Sequence, residues 1–305
     1  MSTGALLIAG PTASGKSALA LALAERLGGV VVNADSMQVY SELRILTARP
    51  TAEEEARAPH RLYGVVSAAE PFSVGRWLPR ARAAIEEAVA AGRPAIVVGG
   101  TGLYFMALLE GLVPVPAAPT EVREAARRRF AALGLEAFRA ELTRRDPAAA
   151  HLRDPQRLMR SWEVAEATGR PLSEWRAEPA EGGYAGPCLG VVLDPPRPEL
   201  YARIDRRFLA MMAAGALDEV RALAGTAPEL KATGLPELRA HLAGALPLEA
   251  AVGAAQQASR RYAKRQLTWF RNKMSSWNWL HTQEVEQNIP RIISKMIDSG
   301  LTARS

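Results

Sequence analysis

A chain of 305 residues with 48% hydrophobic and 23% charged side chains can bury one large core or two smaller ones, which excludes a disordered or fibrous protein. Its one cysteine, Cys188, excludes an internal disulfide framework and a cysteine-built zinc site, and fits a reducing cytoplasm. The formal net charge of +6 favours contact with a polyanion but does not separate a nucleic acid from a generally solvated basic surface.

The first apolar run, Ala5 to Ala9, is too short to cross a bilayer and passes straight into a glycine loop, so it reads as a strand and not as a signal peptide. The expectation is a soluble cytoplasmic protein with no membrane association. The loop that follows, Gly10, Pro11, Thr12, Ala13, Ser14, Gly15, Lys16 and Ser17, matches G-x-x-x-x-G-K-[ST] between a predicted strand and a predicted helix, Ser17 to Leu27. Backbone N–H groups of such a loop curl around an anion at the helix N-terminus, Lys16 adds a point charge, and Ser17 is placed to ligand Mg²⁺. The loop identifies a diphosphate-bearing ligand without saying that it is ATP.

A second strand, Val30 to Asn33, delivers Asp35 just past its carboxyl end, where ligands of parallel sheets bind. A carboxylate there suits a general base; its plain alternative is a helix cap or turn. Val74 to Ala91 carries Trp77, Leu78, Ala81, Ile85 and Val89 along one predicted helix face. The next strand, Ala95 to Val98, ends in Gly99-Gly-Thr-Gly102 with none of the acid that orders Mg²⁺ in motor ATPases and GTPases, which leaves small transferases and kinases. That turn also reads as a plain tight turn with Thr101 a cap.

Proline-rich Val113 to Pro119 and glycine-rich Glu181 to Pro187 bracket arginine-rich helical stretches, Glu121 to Leu133 and Pro155 to Thr168. A fourth strand, Leu189 to Leu193, follows, then helices through about Trp277. The fold class expected is α/β: a P-loop, doubly wound parallel-sheet core (1–114 and 186–277) with an inserted helical subdomain (115–185). The tail (278–305) places Ile292, Ile293, Met296 and Ile297 at the spacing of a packing helix. The run Arg260 to Arg271 interleaves basic and aromatic residues, with Arg261, Lys264 and Arg265 able to share one helix side. It reads as a phosphate contact or as a solvated face over a core of Trp269 and Phe270.

Together these segments resemble the tRNA dimethylallyltransferase family. The resemblance lies in the phosphate loop, Asp35-Ser-Met-Gln-Val-Tyr40, Gly99-Gly-Thr-Gly-Leu-Tyr104, Asp154-Pro-Gln-Arg-Leu-Met-Arg160, Tyr201-Ala-Arg-Ile-Asp-Arg-Arg207 and Arg261 to Arg271, and covers nearly all of residues 5–277. It implies transfer of a dimethylallyl group from dimethylallyl diphosphate to N6 of adenine 37 in the tRNA anticodon stem-loop, with Mg²⁺ and release of pyrophosphate. Asp35 would take the N6 proton; Thr12, Lys16, Arg203 and Arg207 would serve the diphosphate. Asp35, Ser36, Met37, Gln38, Thr101, Arg123, Gln156, Arg157, Leu158, Met159 and Arg160 match tRNA-contacting positions, although for Arg157 and Arg160 a solvated helix face is the plain alternative. No obligatory protein partner is evident. Two departures bear on those contacts: His151-Leu-Arg-Asp154 is a short approach, and Lys231-Ala-Thr-Gly-Leu-Pro-Glu237 lacks the family's Tyr and Arg. Rival readings are a prenyltransferase acting on free AMP or ATP, a P-loop metabolite kinase with Asp35 as base, and an RNA-binding protein with a relic loop.

Overall fold

The computed structural model describes residues 4–223, 225, 230, 232–281 and 285–301. Six parallel strands, β1 (Ala5–Ala9), β2 (Val30–Asn33), β3 (His60–Arg61), β4 (Ala95–Gly99), β5 (Cys188–Leu193) and β6 (Asn278–Leu280), form one sheet in the order β3-β2-β4-β1-β5-β6. Parallel strands need crossovers, and helices supply them: α1 (Lys16–Leu27) after β1, α2 (Ala52–Arg57) after β2, α3 (Val74–Ala90) after β3 and α4 (Gly102–Glu110) after β4. Both faces of the sheet are covered, which is why β1, β2 and β4 are apolar almost without interruption.

Side chains still alternate. Leu6 and Ile8 of β1, in register with Ile96 and Val98 of β4 and with Leu189 and Val191 of β5, share one core with Leu19, Leu23 and Ala24 of α1. The α3 helix starts at Ser73, whose side chain accepts the Arg76 N–H, and buries Trp77, Leu78, Ala81, Ala84, Ile85 and Ala88. Val89 is only half-buried, so alanines complete the face expected of it. After β5 come α8 (Arg197–Ala213), α9 (Ala216–Ala222), α10 (Leu235–Leu242) and the 26-residue α11 (Leu248–Lys273). This run of helices thus ends at Lys273, before Trp277, and the chain returns to the sheet as edge strand β6. The last helix, α12 (Val285–Asp298), inserts Ile289, Ile292 and Met296 into the core under α1, with Ile293 partly buried and Ile297 turned to solvent. Each full burial of that size is worth about 1.5–3 kcal/mol before entropy.

The chain divides into two compact units, 4–109 with 184–301 and 110–183. The second unit is helical: α5 (Thr120–Arg145), a 3₁₀ turn at Pro147–His151, α6 (Pro155–Thr168) and α7 (Leu172–Trp175). What counts as one helix in α5 is two segments meeting at Gly134, whose φ of 70° and ψ of 178° break the spiral. Its core joins Phe138, Leu142, Leu152, Leu158 and Trp162, and Leu112 and Glu181 exchange backbone bonds of 2.9 Å that pin its two ends together. Buried Asp146 accepts the hydroxyls of Ser161 and Ser173 at 3.3 and 2.7 Å. No described helix is long and apolar enough to cross a membrane.

Candidate active site

Since β4 lies between β1 and β2, with Ala9 opposite Gly99 and Asn33 opposite Val98, the loops after β1, β2 and β4 leave the carboxyl edge of the sheet side by side. Such an edge is where open parallel sheets bind ligands.

In the phosphate loop, Ala13 (φ 64°) and Gly15 (φ 89°) adopt left-handed backbone, curling the chain into the start of α1. The N–H groups of the first helical turn have no partner within the helix. They open onto a cavity of about 610 Å³ lined by Thr12 to Ala18, Asp35, Arg44, Arg49, Arg203 and Arg207, among others. The Lys16 ammonium donates to the Pro11 carbonyl at 3.2 Å. Desolvation lowers its pKa from the ordinary lysine value to about 8, with Asp35 opposing the shift and Arg207 adding to it. Arg207 falls for the same first reason to about 10, again opposed by Asp35 and reinforced by Arg203. Its guanidinium donates to the Thr12 hydroxyl. Two partly desolvated cations facing one cavity make a site that gains by taking up an anion.

Asn33, at the end of β2 and fully buried, fixes the loop that carries Asp35. Its Oδ1 accepts the Asp35 N–H at 2.8 Å, and its Nδ2 donates to the carbonyls of Asp35 and Leu62 at 3.0 and 3.1 Å. The Trp77 indole N–H donates to the Asn33 carbonyl at 2.8 Å. Asp35 Oδ1 then accepts the Met37 N–H at 2.9 Å; Oδ2 lies beside Gly100 and accepts no hydrogen bond among the described residues. Thr101 Oγ1 accepts the Ser36 N–H at 2.9 Å.

The Gly99–Gly102 turn owes its composition to close packing. A Cβ on Gly99 would lie 2.0 Å from the Ala34 carbonyl oxygen, one on Gly100 2.2 Å from Gln266 Nε2, and one on Gly102 2.1 Å from the Trp269 ring. None of the three has positive φ. Beyond the turn a smaller cavity, about 240 Å³, is lined by Thr12, Asp35, Ser36, Met37, Arg207, Tyr262 and Arg265, among others. Thr12, Asp35 and Arg207 therefore stand between two cavities, one lined by the phosphate loop from Thr12 to Ser17 and one that meets the loop only at Thr12.

Other expected site residues fall elsewhere. The Gln38 amide donates to the carbonyls of Thr47 and Ala48 at 2.8 and 2.9 Å, holding the wall of the larger cavity. That wall is braced again by Glu219, whose carboxylate accepts the N–H groups of Arg44, Ile45 and Leu46 at 2.6, 2.7 and 2.8 Å. Arg261, Lys264 and Arg265 are exposed on α11, and Phe270 is buried while Trp269 is half-buried. In the helical unit Asp154 caps α6 by accepting the Arg157 N–H at 2.9 Å, which leaves Gln156 and Arg157 exposed. Leu158 is fully buried in that unit's core, so its side chain is not offered to a ligand as the sequence suggested, whereas Met159 is partly buried against the same core. Arg123 is partly buried, and Arg160 pairs with Glu163 at 3.9 Å. Lys231 lies outside the described residues.

Four side chains of the site were not singled out as such in the sequence: Asn33, Trp77, Tyr262 and Gln266. Gln266 accepts the Thr12 N–H and donates to the Gly100 carbonyl, both at 2.9 Å. The available signal was its place on the small, apolar stripe of α11, Ala251, Ala255, Ser259 and Ala263, where a long polar side chain must find partners.

A phosphate loop on a parallel sheet, a carboxylate past the end of β2, one strand removed from β1, and cations closing the cavity define a P-loop group-transfer enzyme, distinct from the nucleotide-hydrolysing members that carry an acid after β4. The family profile described as IPP transferase matches residues 38–273, and that of isopentenyl transferase residues 3–67. The tRNA dimethylallyltransferase of Parvibaculum lavamentivorans is 52% identical over 98% of this chain and 97% of its own, and that of Rhodospirillum centenum 55% identical over 89% of each. Among solved structures, the tRNA isopentenylpyrophosphate transferase of Bacillus halodurans superposes with a TM-score of 0.69 at 33% identity, covering 97% and 98% of the two chains. A eukaryotic dimethylallyltransferase solved acting on tRNA superposes at 0.79 and 26% identity, covering 100% of this chain and 81% of that one. The chain belongs to the tRNA dimethylallyltransferase (IPP transferase) family, and it is a prenyltransferase.

Proposed function

We propose that the enzyme transfers the dimethylallyl group of dimethylallyl diphosphate to N6 of adenine 37 in tRNA. The observation that supports this most is the wall shared by the two cavities: Asp35, Thr12 and Arg207 touch both, so a group crossing from one ligand to the other passes beside them. The diphosphate lies on the phosphate loop with Lys16, Arg203 and Arg207 around it, and the adenine enters the smaller cavity against Ser36, Met37 and Tyr262. A bond forms between N6 and C1 of the dimethylallyl group as the C1–O bond to the diphosphate breaks, and pyrophosphate leaves. The N6 proton passes to the Asp35 carboxylate at Oδ2, the oxygen not committed to the loop's own turn. Negative charge developing on the leaving group is met by Lys16, Arg207 and the loop amides.

No set of acidic, histidine or cysteine side chains among the described residues forms a metal site, whereas the Ser17 hydroxyl is exposed in the first turn of α1 and lines the larger cavity. That donor set suits Mg²⁺ held chiefly by phosphate oxygens and water, with Ser17 the protein's ligand. The ion, when bound, adds charge neutralisation on the leaving pyrophosphate. Extruding the adenine from the anticodon stack costs a few kcal/mol. Arg261, Lys264 and Arg265 on α11, together with Arg123, Gln156, Arg157 and Arg160 of the helical unit, are the groups we assign to gripping the RNA, and the cytoplasm is the compartment we assign.

Incubation with labelled dimethylallyl diphosphate, Mg²⁺ and either total tRNA or AMP tests this reading. Label should enter tRNA at adenine 37. Label entering AMP alone would make the protein an adenylate prenyltransferase, and tRNA-independent ATP turnover would make the loop a nucleotide site.

A further inference from the structure

We propose that Gln266 is a positioning residue: it clamps the phosphate loop to the Gly99–Gly102 turn and so fixes the diphosphate's cradle relative to the base-side loop that carries Asp35. This rests on the transfer reaction proposed above. Gln266 is 5% exposed on α11, among small and apolar neighbours, where an amide without partners is strongly disfavoured. Its Oε1 accepts the Thr12 N–H and its Nε2 donates to the Gly100 carbonyl, each at 2.9 Å; an N–H on one side and a carbonyl on the other fix which end of the amide is which.

The two partners belong to different loops of the site. Thr12 carries the hydroxyl that Arg207 binds beside the larger cavity. Gly100 precedes Thr101, which holds the Ser36 N–H next to Asp35. Tyr262, one turn earlier on α11, lies near both Thr101 and Gln266. The Thr12 N–H is thereby committed to Gln266 and withheld from any anion, so the clamp also selects which loop amides meet the phosphates. A Cβ on Gly100 would lie 2.2 Å from Nε2, leaving room for the amide only because residue 100 is glycine. In-line displacement tolerates little error: a misplacement of about 1 Å costs on the order of 10²-fold in rate. A side chain that lines neither cavity yet ties both loops acts on that distance.

The test uses the full chain with Gln266→Glu, Gln266→Met, Gly100→Ala and the Gly100→Ala/Gln266→Met double variant. Single-turnover transfer to tRNA is measured at several pH values beside inorganic pyrophosphate affinity. At pH 8, Gln266→Glu should transfer about 10²-fold more slowly than the wild type, because a carboxylate accepts from Thr12 but cannot donate to Gly100. Pyrophosphate affinity should stay within about threefold. Burial raises a carboxyl pKa, so lowering the pH protonates this glutamate and restores both hydrogen bonds. Its rate relative to wild type at the same pH should then rise at least about tenfold from pH 8 to 6. Gln266→Met has no proton to regain, and its ratio should stay flat. The double variant should be no slower than the worse single, since both remove one contact.

A pH-independent Gln266→Glu ratio in a protein that melts like the wild type, or multiplicative rates in the double variant, would overturn the clamp. If Gln266→Glu fails to fold, the Gly100→Ala/Gln266→Met cycle decides. Hydrogen exchange at the Thr12 amide, faster by at least about tenfold in Gln266→Met, reads the clamp without any turnover. A wild-type protein that labels no acceptor would sink the transfer reading while that exchange result still judged the clamp.

Discussion

Replacing Asp35 by asparagine separates a chemical role from a scaffolding one, because the structure divides the carboxylate's two oxygens between them. Oδ1 accepts the Met37 N–H at 2.9 Å, a bond that an asparagine carbonyl keeps. The Asn33 side chain holds the Asp35 backbone N–H and carbonyl, and neither bond involves the mutated side chain. What changes is Oδ2, which becomes an NH₂ group unable to take the N6 proton. Loss of a general base costs on the order of 10²–10⁴ in rate, or roughly 3–5.5 kcal/mol of barrier. A second effect runs through Lys16. Asp35 is the charge that opposes the fall of the Lys16 pKa, so its removal should take that group further below its present value of about 8. Diphosphate binding should therefore weaken more at pH 8 than at pH 6.5, where Lys16 stays protonated in either protein. The assay is single-turnover transfer at pH 6.5 with both substrates saturating, which isolates the chemical step. Near-wild-type transfer by the asparagine variant would refute the base assignment; a rate loss that disappears at higher substrate concentration would refute it too, and leave Asp35 a binding group.

Lys16 gives a pH prediction of its own. The free enzyme's ammonium has its pKa depressed to about 8 and a bound diphosphate must raise it, so affinity should be fully present below pH 8 and decline as pH climbs toward the bound-state pKa. Titration of pyrophosphate affinity from pH 7 to 9.5 checks this, with Lys16→Arg, charged throughout, as the reference for the ligand's own ionisation; parallel curves would contradict it. Neutralising Arg261, Lys264 or Arg265 singly should reduce the magnitude of the log affinity against log salt slope for tRNA by up to about 1 per true phosphate contact, with pyrophosphate affinity unmoved. An unchanged slope would mark that face as merely solvated. Gly99→Ala forces a Cβ to within 2.0 Å of the Ala34 carbonyl oxygen, so thermal unfolding should drop by several degrees, as for a loss of about 1–3 kcal/mol from overpacking. An unaltered melting temperature would show that the β4 turn yields easily.

Much of the fold could be read locally because its signals are local. The β-branched run Val30 to Val32 and the helical spacing of Pro155 to Thr168 state their structure without reference to the rest of the chain, and Gly134 stops the first α5 segment where the sequence pattern also stops it. The edge strands β3 and β6 were not legible. His60–Arg61 and Asn278–Leu280 are two and three residues long and are strands only because β2 and β5 offer an edge in register. The site divides in the same way. Phosphate loop, Asp35 and the glycine turn carry their chemistry in contiguous residues, whereas Gln266 lies 254 residues from Thr12 and sits in a basic run that reads as surface. Leu158 shows the reverse error: it belongs to a motif with basic neighbours, yet its own face of α6 is the core.

The missing acid after β4 then has a physical account. In nucleotide hydrolases that position holds a carboxylate for Mg²⁺. Here the turn is spent on packing: the space a side chain would need is filled by the Ala34 carbonyl, the Gln266 amide and the Trp269 ring. Glu54, the other acid on the larger cavity, closes the capping box of α2 by accepting the Thr51 N–H at 2.8 Å. Asp35 is left as the cavity's carboxylate whose charge acts on both Lys16 and Arg207. With Oδ1 held by the Met37 N–H, Asp35 has one oxygen, Oδ2, to offer either a metal or a proton. On the proposed reaction Ser17 and the substrate's phosphate oxygens would hold the metal, and Asp35 keeps Oδ2 for the adenine. An acid introduced at Thr101 should therefore fail to convert the protein into an efficient ATPase: it would lose the hydroxyl that Thr101 donates to Ser36 Oγ at 3.2 Å, and it would set a second negative charge beside Asp35.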